Sequence, residues 1–365
     1  MKAGVSVVIC CHNSAKRLQE TLAHLAAQDV PVGMLWEVIV VDNGSTDGTS
    51  DVALRTWPSS NSVPLRVVKE ERRGLSCARR RGFEEARYEI ISYVDDDNWL
   101  EPNWVRVAAE VMEKHASVGA CGGQSEAVCE VAPPAWFDAQ KGSYAVGAQA
   151  PKAGDVAWTR GFLWGAGLTV RREALAKLFD RGFCFALEDR SGRTLSSGGD
   201  SELCLALRLA GWRLYYEPEM RFKHFIPEGR LTWNYLRRLH RGFGRSKPVL
   251  ELYRKAHLVE QRDEVFRKHW TWQVMRAVRS IIFEHGPTFG RFHLPSEGES
   301  EVLALESKIG RLIELLRLRG RLAELEEQIR SAKWRIKAGP SAMDGCLVSG
   351  YSLDSQQAVP TPVWN

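Results

Sequence analysis

The run "VSVVIC" at residues 5–10 is apolar, β-branched and too short for a helix, so it predicts a buried first strand. "AKRLQETLAHLAAQ" follows with Leu18, Leu22 and Leu25 at helical spacing. "WEVIVVD" then predicts a second strand, ended by the turn-rich "NGSTDGT". "PLRVVKEE", "GLSCARRRGFEEA" and "EIISYVDDD" continue the alternation as strand, helix and strand. Near-continuous apolar strands alternating with helices predict an α/β fold with a mostly parallel central sheet flanked by helices.

From about residue 119 to 230 the pattern loosens, and "GACGGQSE", "PPAWF" and "LWGAGLTV" predict short, irregular strands and long loops. "GGDSELCLALRLAGW" reads as a turn opening a helix, and "RLYYEPEMRFKHF" as a return to strand. Residues 231–285 read as helical, basic and aromatic, and 286–300 as a Gly/Pro/Ser linker. Val302, Leu305, Ile309, Leu312 and Leu316 then follow a three-four spacing within 301–337. This is a C-terminal amphipathic helix or helical hairpin, and a candidate seam for self-association. The Ser-, Pro- and Gly-rich stretch 338–365 predicts a disordered tail.

At 365 residues, with 44% hydrophobic and 26% charged positions, the chain supports a sizeable core and excludes wholesale disorder. The net charge of +5 suits anionic small molecules or an acidic membrane surface and is too small to argue for nucleic acid. The eight cysteines form no CxxC pair, which argues against zinc and for a reduced, cytoplasmic setting. "MKAGVSVVICCHNS" reads as a strand rather than a signal peptide, and no run approaches a membrane span.

The chemistry concentrates where strands end. Asp95, Asp96 and Asp97 close the strand "EIISYV", and Asp42 closes "EVIVV". Ligands of open α/β sheets bind beyond the carboxyl ends of the strands, so both positions face one crevice. Two carboxylates about 4 Å apart repel by roughly 4 kcal/mol at an effective dielectric near 20. Solvation, a shared proton or a cation is needed to hold such a cluster.

Five segments in order, "VSVVICCHN", "EVIVVDNGSTDGT", "RRGLSCARRRG", "YVDDDNWLEPNW" and "GGDSELCLALRLAGW", resemble glycosyltransferase family 2 over roughly residues 4–245. "GAGLTVRR" and "HFIPEGRLTWNYLRRLHRGFG" look most like its bacterial surface-polysaccharide members. The resemblance implies a GT-A nucleotide-diphospho-sugar transferase fold. It divides 1–245 into a nucleotide-binding half, 1–118, and an acceptor-binding half, 119–245, with 246–285 a basic, aromatic helical segment. It implies inverting, metal-dependent transfer of a sugar from a nucleoside-diphosphate sugar, UDP-sugar favoured, to a saccharide or lipid-linked acceptor in polysaccharide biosynthesis.

Residue by residue, the resemblance makes Asp95 and Asp97 the D-x-D pair, Asp97 the direct ligand of Mg²⁺ or Mn²⁺ and Asp95 the one nearer the ribose. Asp96 fills the position between them, also against the nucleotide. His224 is a second candidate metal ligand, with packing in an aromatic strand as its other reading. Asp42, Asn13, the backbone at Cys11, and Arg79 line the nucleotide. "DNGSTDG" also reads as a plain turn or helix N-cap. Asp200 is the base that takes the acceptor proton, N-capping being its alternative, with Glu202 nearby. Arg230, Arg237 and Arg238 are candidates to close over the diphosphate, and Trp136 and Trp164 to stack on sugars. Residues 266–283 could lie on an anionic membrane or pack on the catalytic unit.

The chain departs from the family at Cys11-His12-Asn13, Ala78-Arg79-Arg80 and Gly199-Asp200, where Thr-Tyr-Asn, Ala-Arg-Asn and Glu-Asp are usual. Two other readings compete. A nucleotidyltransferase would want a Gly-rich triphosphate loop that "CCHNSAKRLQE" does not supply, and a non-catalytic assembly module would rest on the C-terminal helix alone. A dinucleotide-binding dehydrogenase is disfavoured because no G-x-G-x-x-G follows the first strand.

Overall fold

A computed structural model of the chain describes residues 2–187, 198–258, 270–291 and 297–336. The expected tail from Gly339 lies outside them, as does Cys346. Strands β1 (Lys2–Cys11), β2 (Trp36–Asp42), β3 (Leu65–Lys69) and β4 (Tyr88–Asp95) alternate with helices α1 (Leu18–Ala26), α2 (Thr49–Thr56) and α3 (Leu75–Glu85). β5 (Asn98–Leu100) and α4 (Trp104–Lys114) follow, then β6 (Val118–Cys129), α5 (Phe137–Gln140), β7 (Gly154–Asp155), β8 (Thr169–Arg171) and α6 (Arg172–Asp180). Helix α7 (Gly199–Leu209), strand β9 (Arg213–Ile226) and helices α8 (Trp233–Leu258), α9 (Trp270–Arg291), α10 (Ser300–Arg317) and α11 (Leu322–Arg330) complete the order.

One sheet runs β3-β2-β1-β4-β8-β6-β9-β5, with β7 on β9. Its first four strands are parallel, β6 and β9 are also parallel, and β8 and β5 join antiparallel. The fold is therefore the expected mixed α/β arrangement with a mostly parallel sheet and a helical C-terminal region. Every residue of β2 is buried, and Val5, Val7, Val8 and Ile9 of β1 are fully so. Burial on both faces of the sheet is what the unbroken apolar runs encoded.

The loose reading of 119–230 holds for the short strands β7 and β8 and is corrected at "GACGG". β6 is a strand of 12 residues and β9 one of 14, paired in parallel with register shifts at Val118/Ala120 and Gly122/Gln124. The glycines that made "GACGG" look like loop are packing requirements: a Cβ on Gly119 would lie 2.6 Å from Trp212, and one on Gly123 1.7 Å from the Met220 carbonyl oxygen. The linker expected at 286–300 is shortened too, because α9 runs on to Arg291 and packs on α10. Packing of the helix outweighs its local breakers.

The C-terminal pattern resolves into two helices, α10 packed on α8 and α9 and α11 packed on α8, so the apolar stripe of α10 is engaged within the chain. Val302 and Leu305 are completely buried, while Leu316 at the far end stays half exposed. Glycine sets the closeness of the α8–α10 crossing: a Cβ on Gly244 would sit 1.9 Å from Ser307 O, and one on Gly310 2.0 Å from Arg241 O. Around it, fully buried Glu306 accepts from Arg237 Nε at 2.9 Å and from Arg241 Nε at 2.6 Å. Arg245 and Arg317 reach Glu314, and Arg311 reaches Glu251. Gly310→Ala drives a methyl into backbone that cannot swing aside and is expected to cost about 1–3 kcal/mol. Thermal unfolding of the variant measures it, and an unchanged midpoint would mean the helices are not this close.

Candidate active site

Strand register assembles the first part of the site. Along β1, Cys11 is level with Asp42 of β2 and Cys10 with Asp95 of β4. The sheet order reverses between β1 and β4, so their carboxyl ends flank a topological switch point, where α/β sheets open a crevice. Both carboxylate oxygens of Asp42 are engaged by its own loop, Oδ1 by the Ser45 N–H at 2.9 Å and Oδ2 by the Ser50 hydroxyl. Burial pushes its pKa up, but these bonds and Lys69 outweigh it and hold the carboxyl below its usual value. Asn13 is exposed with φ 52°, and its Oδ1 accepts the Thr46 N–H at 2.9 Å. It ties the β1–α1 loop to the β2–α2 loop above the crevice. Asn43 is buried beneath, donating to the carbonyls of Glu70 and Arg72 and accepting from Gly74.

The three aspartates face different partners. Asp96 is buried and accepts from Arg17 Nη2 at 2.7 Å, while the Thr21 hydroxyl donates to its carbonyl. Burial and then Asp97 push its pKa up, against the pull of Arg17. Asp97 is 2% exposed. Pairing of β5 with β9 puts Asn98 level with His224, and the Phe225 N–H donates to the Asp97 carbonyl at 2.9 Å. This brings His224 Nε2 to 3.5 Å from Asp97 Oδ1, while Arg230 Nη1 donates to Oδ2 at 2.9 Å. Burial works against the charge of Arg230, but Asp97 foremost among its carboxylate neighbours raises its pKa on balance. Asp95 N–H donates to Asn98 Oδ1 at 3.2 Å, leaving its carboxylate level with Cys10. The mutual repulsion posed by the triplet is thus relieved in part by two arginines from distant segments.

Asp200 opens α7. Its Oδ2 accepts the Gly165 N–H at 2.7 Å and its Oδ1 the Ser201 N–H at 2.8 Å. Gly198, at φ 130°, makes the turn into the helix. Gly165 lies against both Arg79 and Asp200: a Cβ there would lie 2.6 Å from Arg79 Nη2 and 3.2 Å from Asp200 Oδ2. Arg79 is buried on α3, with its guanidinium 5.8 Å from the Tyr93 ring centroid and its charge acting on Cys10. Arg79 and Asp200 thus both border Gly165.

Not every expected residue joins them. Arg237 is taken up by Glu306, whose burial demands a counter-charge, and Arg238 is exposed on α8. Glu202 is fully buried, accepting the Ala186 and Leu187 N–H groups and the Tyr253 hydroxyl, so it braces α7 against α8. Trp136 packs on Trp233 in a satellite core. Trp164 stays beside Gly165, with the Arg160 guanidinium 4.5 Å from its ring centroid. Sequence reasoning missed Arg160, whose pKa burial lowers to about 10 with the charge of Asp200 opposing. It missed Arg17 as well. No local signal marks either.

Residues 6–179 match the profile of glycosyl transferase family 2. The glycosyltransferase AglE of Haloferax volcanii is 33% identical over 102 residues, which span 27% of this chain and about a third of AglE, 33% of its length. The glucosyl-dolichyl phosphate glucuronosyltransferase of the same organism is 24% identical over 253 residues, 68% of this chain and 77% of that protein. Among solved structures, Staphylococcus aureus TarS 1–349 in complex with UDP-GlcNAc aligns over 90% of this chain and 91% of that one, at 19% identity and a TM-score of 0.49. The profile match spans the strand ends that carry Asp42, Asp95 and Asp97, and over this stretch, just under half of its length, the chain is similar to glycosyltransferase family 2.

Proposed function

We propose that the chain is an inverting, metal-dependent glycosyltransferase moving a sugar from a nucleoside-diphosphate sugar, UDP-sugars first, to a hydroxyl of a saccharide or lipid-linked saccharide. The observation that carries this reading is the gathering of Asp42, Asp95 and Asp97 at one end of the parallel strands, with Arg79 and Asp200 meeting at Gly165. The glucuronosyltransferase of H. volcanii carries a lipid-linked sugar in its name, which favours an acceptor of that class.

A divalent ion fits the residues present. Asp97 and His224 offer a carboxylate oxygen and an imidazole nitrogen 3.5 Å apart. Among the described residues no group of three or more His, Cys, Asp or Glu side chains is spaced to hold a metal. Two protein ligands are what such an ion takes when diphosphate oxygens and water complete its shell. Bound there, it supplies Lewis-acid stabilisation of the departing diphosphate.

The remaining work belongs to the chain itself. Ser45 and Ser50 take up most of the roughly four lone-pair positions of the Asp42 carboxylate, leaving room for the imide N–H of uracil. Asn13 and the backbone at Cys11 border the nucleotide, and Asp95 faces its ribose. Arg230 adds positive charge beside the diphosphate, and Arg79 marks the passage towards the acceptor side. Asp200, oriented by two backbone N–H groups, receives the proton of the attacking hydroxyl.

Thermal shift with UDP-glucose, UDP-GlcNAc and GDP-mannose, each with Mn²⁺ or with EDTA, tests the reading. A UDP-sugar at a hundred times its Kd stabilises by about 2.7 kcal/mol. The expected result is a rise in Tm of about 3–4 °C that EDTA abolishes. No shift with any nucleotide sugar, with metal or without, would sink it.

A further inference from the structure

We infer that the outer face of α9 is a docking surface for an anionic lipid bilayer. The inner face of α9 is fixed: Ala277 and Ile281 are buried, and the Trp270 indole N–H donates to the Leu315 carbonyl of α10. The opposite face therefore points outward. Met275 is 61% exposed, Ile282 56% and Phe283 72%, and Trp272 and Val278 lie on the same side. No other helix among the described residues shows so many exposed large apolar side chains, and these fall within about three turns.

The charges on that face have one sign. Arg276 sits with its guanidinium 5.4 Å from the Trp272 ring centroid, and Arg279 5.0 Å from that of Phe283. Glu284, the acid at its border, is paired with Lys308 of α10. Apolar and aromatic side chains interleaved with arginine suit a surface that is greasy beneath and negative above. A second copy of the same face suits it poorly. A two-fold pairing would set arginines against arginines with no acid on the described face to balance them. No helix among the described residues is long and apolar enough to cross a membrane, so the contact is one of lying on it. The inference is independent of the donor assignment.

Flotation of the full chain with phosphatidylcholine vesicles, with and without phosphatidylglycerol, is the test. Binding is expected to favour phosphatidylglycerol vesicles at least tenfold and to fall with salt, each arginine contributing about fivefold. The pair Ile282→Glu and Phe283→Glu, both exposed, should abolish binding while leaving the thermal midpoint unchanged. The pair Arg276→Gln and Arg279→Gln should erase the preference for phosphatidylglycerol. Failure of the wild-type chain to float would overturn the inference, and so would undiminished binding by the Glu pair. A dimer in light scattering that the Glu pair renders monomeric, without vesicle binding, would assign the face to self-association instead. A positive UDP-sugar shift beside negative flotation would discard this surface and keep the enzyme.

Discussion

Asp200→Asn should lower donor turnover in the presence of acceptor by about 10²–10⁴-fold while leaving the thermal shift with UDP-sugar and Mn²⁺ intact. Asparagine keeps the side-chain shape and one of the two oxygens that accept the Gly165 and Ser201 N–H groups, so one of these bonds is given up while the turn into α7 is expected to hold. What it lacks is a basic oxygen for the proton of the attacking hydroxyl. Nucleotide release from a UDP-sugar over a panel of saccharide acceptors reads the loss, and donor binding serves as the control. A variant that turns over at the wild-type rate would strip Asp200 of this role. It would then be a helix cap and nothing more.

Asp97→Asn should have the complementary phenotype. Metal ligation needs the charged oxygen, so the Mn²⁺-dependent part of donor binding is expected to weaken on the order of a hundredfold. Turnover should fall with it. Asp96→Asn is the matched comparison, because its carboxylate is turned to Arg17 and Thr21 donates to its backbone. That change should cost stability, about 1–3 kcal/mol, and leave metal dependence in place. Titration of Mn²⁺ against each variant at fixed UDP-sugar separates the two. Equal loss of metal dependence in both would mean the triplet acts as one undivided cluster.

The strands and the positions at their ends were legible because each is written locally. β1, β2 and β4 announce themselves as apolar runs, and a carboxylate closing such a run must sit at the sheet edge. What the run of aspartates does with its charge was not legible. Arg17 lies 79 positions from Asp96 and Arg230 lies 133 from Asp97, so only the folded chain introduces them. β6 was misread for the opposite reason. Its glycines carry a local loop signal, yet they answer to Trp212 and Met220 on the neighbouring segments. Arg237 shows the same limit, since a basic residue near the site looks available until the buried Glu306 is found beside it.

The unbroken course of α8 through residue 245 bears on how this protein is divided for study. A fragment ending at residue 245, where the family resemblance ends, would sever that helix midway. It would strip Arg237 and Arg241 of the acid they enclose and bare the groove that Gly310 fills. The C-terminal helices are thus no detachable appendage but part of what the sheet-bearing region needs to be made whole, and expression work should keep the two in one piece.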